Sequence, residues 1–364
     1  MKDMTLQELS SFYRGKRVFV TGHTGFKGMW LSKVLEMAGA EVTGYALDAP
    51  TEEGMAALVY SHVLEDMHTS YGDVRDIGAL QRAFADAKPE IVLHLAAQPI
   101  VRLSYQHPVE TYETNVLGTV NLLECVRQSD TVRSVLNVTT DKVYENREWC
   151  WGYRETEPLD GYDPYSNSKS CSELVTHSYD KSFLREKGVA VSTARAGNVI
   201  GGGDFAPDRI VPDAVRAARQ GEPVQVRNPY STRPYQHVLE PVTTYLLLAM
   251  RQYEDASLAG SWNVGPDDED CVTTGELMDI FCTAWGEGAR WEHPETDGDA
   301  PHEASFLKLD CSKLKSRLGW RPRWHIREAV NQSVEWYKAW GQDRESVASC
   351  MEQQIEAFLT GGSR

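Results

Sequence analysis

The 364-residue sequence is long enough for one large or two smaller domains, and its hydrophobic content of 41% suffices for a sizeable core. Its formal net charge of -16 argues against a surface that binds nucleic acid or an anionic membrane, and no apolar run is long enough to cross a bilayer. Seven scattered cysteines without a Cys-x-x-Cys pair argue against a disulfide framework and a metal site, so we expect a cytoplasmic protein with free thiols.

The first predicted element is a buried strand that begins at Arg17 and runs directly into a glycine-rich turn. Gly22, Gly25 and Gly28 follow it with the spacing G-x-x-G-x-x-G, and a helical pattern continues to Ala38. Glycines let backbone N–H groups approach a phosphate, and the N-terminus of a helix favours an anion. In this strand–turn–helix context the motif favours a dinucleotide site over a plain tight turn.

A second strand is predicted over residues 41–47, and Asp48 follows it twenty positions beyond Gly28. A carboxylate there would hydrogen-bond a ribose 2′-hydroxyl and repel a 2′-phosphate, which favours NAD over NADP. The alternative is that Asp48 only forms a turn before Pro50. Further on, Asp73 precedes a helix predicted over residues 77–87, where it caps that region or receives an adenine amino group.

The next strand is predicted over residues 90–98 and ends in small residues, which leave room for a ligand at its carboxyl end. Arg102 follows as a candidate contact to an anion or a sugar, although a lone arginine is often just solvated. The segment 109–127 predicts a long helix that is apolar on more than one side, as expected for a helix that packs on the sheet and on something else.

A further strand is predicted over residues 132–140, and its last residue, Thr140, is followed by Asp141 and Lys142. Strand ends of a doubly wound sheet line the ligand crevice, so these residues form a candidate acid–base set, with a plain polar loop as the alternative. Tyr165 and Lys169 lie four residues apart at the head of a predicted helix. On one helical face the ammonium would lower the pKa of the phenol and prepare it as a general base for alcohol oxidation, unless the two are an ordinary surface pair.

Strands and helices alternate as far as the strand at 189–194, which predicts an α/β fold with a Rossmann-type, doubly wound parallel sheet. We therefore expect an NAD-binding domain over residues 1–200 and a smaller α/β substrate-binding lobe over residues 201–364, with an interleaved boundary. Two helices are predicted in the lobe, at 240–252 and 326–340. It also carries a basic and aromatic cluster suited to a pyrophosphate, formed by Arg209, Arg227, Arg233, Tyr235 and His237.

Taken together and in order, these motifs resemble the extended short-chain dehydrogenases/reductases that act on nucleotide sugars. The resemblance covers residues 15–340 and rests on segments 21–28, 95–98, 140–142 and 165–169. Finer phrases at 97–105, 144–149, 196–204 and 232–241 resemble the branch of 4,6-dehydratases whose substrate is CDP-glucose. The joint occurrence of the motifs is far more specific than any one of them.

The resemblance implies a retained NAD that is reduced and reoxidised within one turnover. Tyr165, assisted by Lys169 and Thr140, would take the proton of the sugar 4-hydroxyl, and Asp141 would protonate the departing 6-oxygen. The dTDP-glucose relatives carry an Asp-Glu pair where this chain has Asp141-Lys142. Lys142 would therefore act as the base at C5, neutral if burial depresses its pKa, or it would stabilise the enolate. The product would be a CDP-4-keto-6-deoxy sugar, a precursor in deoxysugar and lipopolysaccharide synthesis.

The resemblance also implies which residues contact the ligands. Expected cofactor contacts are Gly22, Thr24, Gly25, Phe26, Lys27, Gly28, Asp48, Asp73, Val74, Leu95, Ala96, Ala97, Thr114, Tyr165 and Lys169. Expected substrate contacts are Gln98, Arg102, Asn198, Arg209, Arg233 and His237. The helices predicted at 109–127 and 166–187 would form a four-helix bundle between subunits of a homodimer or homotetramer.

Two other functions remain open on the sequence. The first is a 4-epimerase, or a dehydratase for another nucleotide sugar, which would share Tyr165, Lys169 and NAD. An epimerase has no need of an acid at C6, so Asp141 argues against it. The second is a non-catalytic NAD-binding scaffold. The Tyr-x-x-x-Lys pair argues against a scaffold, because a binding module has no use for a base beside the nicotinamide.

Overall fold

The computed structural model describes residues 4–47, 67–286, 288–294 and 306–360. The predicted ribose contact Asp48 lies outside the described residues, as does the turn expected after it. Within the described ranges, no helix is both long enough and apolar enough to span a membrane.

Seven strands of the described chain form one central sheet, and neighbouring strands pair in parallel throughout it. Their spatial order is β3-β2-β1-β4-β5-β6-β11. In chain order these strands are β1 Arg17–Thr21, β2 Glu41–Ala46, β3 His68–Tyr71, β4 Ile91–His94, β5 Ser134–Thr139, β6 Ala190–Ala196 and β11 Ser261–Val264. The predicted strands are present, with ends that differ by a few residues.

The direction of winding changes between β1 and β4. Chain order runs outward from β1 through β2 to β3 on one side, and from β4 through β5 to β6 on the other. A doubly wound sheet opens a crevice at such a reversal, beyond the carboxyl ends of the strands. The structure thus confirms the predicted fold class, and this strand order favours a crevice beyond the ends of β1 and β4.

Helices cover both faces of the sheet. In chain order they are Leu6–Tyr13, Phe26–Met37, Ile77–Ala87, Val101–Gln106, Pro108–Tyr112, Gly118–Gln128, Pro164–Tyr179, Ile210–Gln220, Leu239–Glu254, Thr274–Trp285, Ser312–Leu318, Ile326–Gln342 and Arg344–Thr360. The long helices predicted at 109–127 and 166–187 are present as continuous helical segments over residues 108–128 and 164–184, and each contains a π-helical turn, at Glu113–Leu117 and at Asp180–Leu184. A π turn takes one extra residue, which a 3.6-residue pattern does not reveal.

Alternate residues of the strands point to opposite faces of the sheet. Val18 and Val20 of β1 belong to a large apolar cluster that includes the Leu239–Glu254 helix, whereas Phe19 belongs to a second cluster on the other face. Both faces are therefore buried, which explains why the strands read as nearly continuous apolar runs rather than alternating ones.

The remaining strands of the described chain are short and lie outside the sheet. They pair as β7 Val199–Ile200 with β10 Gln236–His237, β8 Val224–Gln225 with β13 Trp291–Glu292, and β9 Thr232–Pro234 with β12 Cys271–Thr273. β11 lies beyond residue 200 but belongs to the central sheet. The division into two domains at residue 200 stays a prediction.

Candidate active site

A cavity of about 1120 Å³ opens at the carboxyl edge of the central sheet. One wall comes from the segments that follow β4, β5 and β6, and the facing wall comes from residues 204–213 and 225–235. Many of the predicted site residues line it: Lys27, Arg102, Thr140, Asp141, Lys142, Tyr165, Asn198, Arg209 and Arg233. Residues from both halves of the sequence thus meet at the crevice that the strand order creates.

A short 3₁₀ turn at the end of β5 fixes the predicted acid–base set. The Thr140 hydroxyl donates to Oδ1 of Asp141 at 2.9 Å, and the Asn198 amide donates to Oδ2 at 3.3 Å. Asp141 is almost fully buried at 1% exposure. A Cβ atom on Gly197 would lie 2.0 Å from Cγ of Asp141, so this glycine leaves the space that the carboxylate occupies. The acid of the turn is therefore held on both oxygens and tightly enclosed.

Tyr165 occupies the first turn of the Pro164–Tyr179 helix, which Asp163 caps by accepting from the Ser166 amide. Burial raises the pKa of Tyr165 to about 12, while a hydrogen bond with Thr140 and the charge of Arg209 lower it by less. The pKa of this phenol is therefore raised, because loss of solvent outweighs these two effects, and the lowering by Lys169 expected from the sequence stays a prediction.

Lys169 lies one helical turn after Tyr165, and its ammonium donates to the Val138 carbonyl at 3.1 Å. Burial lowers the pKa of Lys169 to about 8, the charge of Lys27 lowers it further, and Glu173 opposes both. Burial also lowers the pKa of Lys27 to about 8. Lys142, by contrast, is only partly buried, so the burial considered for it from the sequence is not found.

An ionic network lies beneath the turn and was not predicted from the sequence. Glu173, one turn after Lys169, accepts from the Arg195 guanidinium at 3.0 and 2.8 Å and from the Thr139 and Thr193 hydroxyls at 2.5 and 2.7 Å. Arg195 also donates to the Tyr144 hydroxyl at 2.8 Å. The network therefore joins the helix that carries Tyr165 to the ends of β5 and β6. The available signal was Glu173 one turn after Lys169 on the same helix.

The glycine motif after β1 has the geometry of a phosphate cradle. Gly22 adopts φ +74°, and a Cβ there would lie 2.6 Å from the Ala96 amide nitrogen. A Cβ on Gly28 would lie 2.1 Å from the Gly22 carbonyl oxygen. Gly25 occupies the N-cap of the following helix and makes no side-chain hydrogen bond, so the N-cap residue leaves the first helical N–H groups available to a ligand. This arrangement fits the pyrophosphate of a dinucleotide.

The other predicted cofactor contacts lie around this cradle. The Thr24 hydroxyl donates to the Leu47 carbonyl at 3.2 Å, and Asp73 accepts from Arg75 rather than capping the Ile77–Ala87 helix, which Asp76 caps. The capping role considered for Asp73 is therefore wrong. Leu95, Ala96 and Ala97 follow β4, and Val74 lies between β3 and the Ile77–Ala87 helix. Phe26 begins the Phe26–Met37 helix, and Thr114 belongs to the π-helical turn Glu113–Leu117.

Two predicted substrate contacts do not reach the cavity. His237 is fully buried between Trp30 and Trp324, and burial lowers its pKa to about 3. The side chain of Gln98 is engaged with the Ile100 backbone and the Thr111 hydroxyl, so it holds the loop after β4 in place. The sequence pattern does not distinguish these structural roles from ligand contacts, because both place a polar residue beside a strand end.

Two acidic residues on the facing wall were also missed. Asp204 pairs with Arg209 at 2.8 Å, and Asp208 pairs with Arg102 at 3.3 Å and with Arg227 at 3.2 Å. All five line the cavity. The available signal was the acid that ends the 201–204 glycine run, but Arg102 lies 106 residues before Asp208, so only the fold brings this pair together.

The chain is similar in sequence and in fold to several known proteins. The family model described as GDP-mannose 4,6 dehydratase matches residues 19–333. A CDP-glucose 4,6-dehydratase of Salmonella typhimurium is 50% identical over 361 residues, covering 97% of this chain and 99% of the relative. A dTDP-glucose 4,6-dehydratase of Xanthomonas campestris is 29% identical, with coverage of 87% and 92%. The structure of a Thermus thermophilus UDP-glucose 4-epimerase with NAD superposes with a TM-score of 0.76 at 27% identity, covering 88% and 99%.

Proposed function

Since the chain belongs to the family described as GDP-mannose 4,6 dehydratase, we propose that it is an NAD-dependent lyase that converts CDP-glucose to CDP-4-keto-6-deoxyglucose and water. The observation that carries the choice of substrate is the 50% identity, over 97% of this chain, to a CDP-glucose 4,6-dehydratase. The resemblance stated from the sequence is thereby confirmed for the family. The lining of the cavity, with Asp141 beside Thr140 and Tyr165, supports the reaction type.

NAD is the cofactor that the residues present would hold. The cradle of Gly22, Gly25 and Gly28 fits its pyrophosphate, and a T. thermophilus epimerase of the same fold is a complex with NAD. When bound, NAD supplies a hydride acceptor for C4, a hydride donor for C6 and a positive charge that favours the phenolate form of Tyr165.

The oxidation step depends on Tyr165, Thr140 and Lys169. Tyr165 removes the proton of the 4-hydroxyl, and its hydrogen bond with Thr140 and the charge of Arg209 both favour the phenolate. Lys169, held on the Val138 carbonyl, supplies further positive charge from one helical turn away. General-base catalysis of this kind contributes about 10²- to 10⁴-fold to a rate.

The elimination step depends on Asp141 and Lys142. Once C4 is a ketone, the C5 hydrogen becomes acidic, and Asp141 protonates the departing 6-oxygen. Its two carboxylate oxygens are held by Thr140 and Asn198, which orient the acid toward one position. Lys142, next in sequence and on the cavity wall, either removes the C5 proton or stabilises the enolate.

The choice of nucleotide and reaction is tested by incubating the protein with NAD and a panel of CDP-, dTDP-, UDP- and GDP-glucose. We expect CDP-glucose to give the alkali-induced absorbance of a 4-keto sugar, and the product to have lost one water by mass analysis. A product of unchanged mass would indicate the alternative function, 4-epimerisation. Turnover of another nucleotide sugar in place of CDP-glucose would contradict the substrate.

Asp141→Asn separates the two half-reactions. We expect this variant to oxidise C4 but to stop before water is lost, so that reduced nicotinamide accumulates and is visible by its absorbance. Asp213→Asn is the matched control, because Asp213 lines the same cavity but pairs with Arg216 away from the turn. If both variants complete turnover equally, Asp141 is not the acid.

We further propose that the subunits associate through the two long helical segments, as a homodimer or a pair of such dimers. Large apolar side chains are exposed on both segments, at Val109 and Leu117 on one and at Leu174 and Phe183 on the other. Helices that expose such residues are commonly covered by a second copy. Sedimentation should show a dimer, and Leu117→Glu with Leu174→Glu should yield monomers.

The cytoplasm is the proposed location. All seven cysteines are unpaired in the structure, as expected for a reducing compartment. The proposed product is a precursor of deoxysugars, and we propose lipopolysaccharide as their destination. Detection of the protein in the soluble cytoplasmic fraction, and loss of deoxysugar from lipopolysaccharide when its gene is deleted, would test both statements.

A further inference from the structure

One carboxylate oxygen bridges two arginines across the cavity. Oδ1 of Asp208 lies 3.3 Å from Nη1 of Arg102 and 3.2 Å from Nη2 of Arg227. Arg102 belongs to the helix that follows β4, and Arg227 follows β8 on the facing wall. All three side chains line the cavity, and each is a little over one third exposed. The bridge therefore connects the two walls and remains in contact with solvent.

The segment that carries Asp208 is anchored by contacts of residues close to Asp208 in sequence. Phe205 packs against Trp340 with ring centroids 4.9 Å apart, and Asp204 accepts from Arg209 at 2.8 Å. Asp208 itself has φ +60°, a conformation that aspartate and asparagine tolerate better than most residues. These contacts fix the backbone beside Asp208, so the carboxylate is held close to the two guanidinium groups.

We propose that Arg102 and Arg227 form a subsite for the diphosphate of a nucleotide ligand, and that Asp208 occupies this subsite as a resident competitor that the ligand displaces. The inference deepens the proposed function and rests on it for the identity of the ligand. Asp208 marks a position at which two guanidinium groups already converge on one anionic oxygen.

The chemistry favours exchange over a permanent bridge. Guanidinium forks bind phosphate oxygens in the same geometry as carboxylate oxygens, so one can replace the other. A diphosphate brings at least two negative charges to two arginines, whereas Asp208 brings one. Because the three side chains are partly exposed, the existing ion pairs are screened by water and easily broken.

Asp208→Asn tests the proposal by calorimetric titration of the full-length protein with NAD present. Asparagine tolerates the left-handed backbone, so the variant keeps the loop and loses only the charge. We expect it to bind CDP on the order of threefold to tenfold more tightly, because displacing two screened ion pairs is no longer required. Inorganic pyrophosphate should gain by a similar factor, and cytidine, which has no phosphate, should bind as before.

Two controls separate competition from a general change in charge. Glu145→Gln removes a negative charge from the same cavity, where it pairs with Arg147, and it should produce no such gain. Arg102→Gln with Arg227→Gln should weaken CDP binding, and adding Asp208→Asn to this double variant should restore nothing. An equal gain in that background would mean simple repulsion and would overturn the proposal, as would unchanged or weaker binding in Asp208→Asn alone.

The pyrophosphate titration also keeps this proposal distinct from the proposed function. If CDP-glucose proves not to be a substrate, pyrophosphate still reports whether Asp208 competes for the two arginines. If CDP-glucose is converted but Asp208→Asn binds CDP and pyrophosphate as the unmodified protein does, the competition is refuted and the enzymatic function stands.

Discussion

One ionic cluster lies beneath the turn that carries Asp141 and another lies on the cavity walls, and they differ in solvent exposure rather than in chemistry. Glu173 and Arg195, under the turn that carries Asp141, are 0% and 1% exposed and pair at 2.8 Å. Arg102, Asp208 and Arg227, on the cavity walls, are 36% to 37% exposed and pair at 3.2 to 3.3 Å. We therefore expect a carboxylate–guanidinium pair to fix structure when it is buried and to allow exchange with a ligand when it is exposed.

The buried cluster carries many additional hydrogen bonds, as a desolvated pair requires. Thr139, Thr193 and Tyr144 share the charges of Glu173 and Arg195, and burial would otherwise disfavour both ions. Burial raises the pKa of Glu173, but the hydrogen bond and charge of Arg195, with the Thr139 and Thr193 hydroxyls, keep this pKa lowered. We conclude that the network holds the strand end with Thr140 against the helix with Tyr165. The exposed cluster has no comparable support among the described residues.

The largest expected effect is on kcat and comes from a change at Tyr165, whose helix the buried cluster holds in place. Tyr165→Phe removes the proposed base, and we expect kcat with CDP-glucose to fall by about 10²- to 10⁴-fold. Steady-state assays with NAD present would measure this. An equal fall in kcat for Asp208→Asn would contradict the difference between the two clusters, because we expect the exposed cluster to affect ligand affinity and not the chemical step.

The second expected effect is on folding. Glu173→Gln leaves the Arg195 charge buried without its carboxylate, and removing one partner of a buried pair costs about 3 to 5 kcal/mol. Chemical denaturation should show this loss in the free energy of unfolding. The double variant Glu173→Leu with Arg195→Met should recover most of it, because no unpaired charge then remains. A small loss in Glu173→Gln would mean that water reaches the network.

The third expected effect is a pH dependence set by burial of Lys169. Its pKa is lowered from 10.5 to about 8, so between these values the unfolded chain binds a proton that the folded protein has released. The free energy of unfolding of the unmodified protein, relative to that of Lys169→Met, should therefore rise as the pH increases from 8 to 10.5. Below pH 8 this relative free energy should be lower by about 3 kcal/mol than above pH 10.5. Thermal melting across this range measures it, with the exposed Lys187→Met as control. A difference that is independent of pH would contradict the burial.

Sequence analysis predicted the parts of the site that local patterns encode. The strand before Gly22, the turn with Asp141 and the helix head with Tyr165 are each continuous segments, and their positions follow from the order of strands in the sheet. The structure confirms the fold. The roles of these side chains remain proposals, since they depend on bound ligands.

The remaining features depend on contacts that the sequence does not encode locally. Glu173 and Arg195 lie 22 residues apart, and Arg102 and Asp208 lie 106 apart, on elements that only the completed fold brings together. The same applies to His237, whose burial between two tryptophans is set by tertiary packing. The pKa of Tyr165 likewise depends on burial, which the Tyr-x-x-x-Lys spacing alone does not reveal.

The smallest expected effect completes the comparison at the exposed cluster. Asp208→Asn removes both of its ion pairs, yet exposed pairs contribute only about 0.2 to 1 kcal/mol each, and asparagine suits the backbone at φ +60°. We therefore expect the free energy of unfolding to change by less than about 2 kcal/mol, even though ligand affinity increases. Denaturation of Asp208→Asn alongside Glu173→Gln measures the contrast directly. A loss in Asp208→Asn as large as that in Glu173→Gln would show that the bridge is a structural link, which a diphosphate could not readily displace.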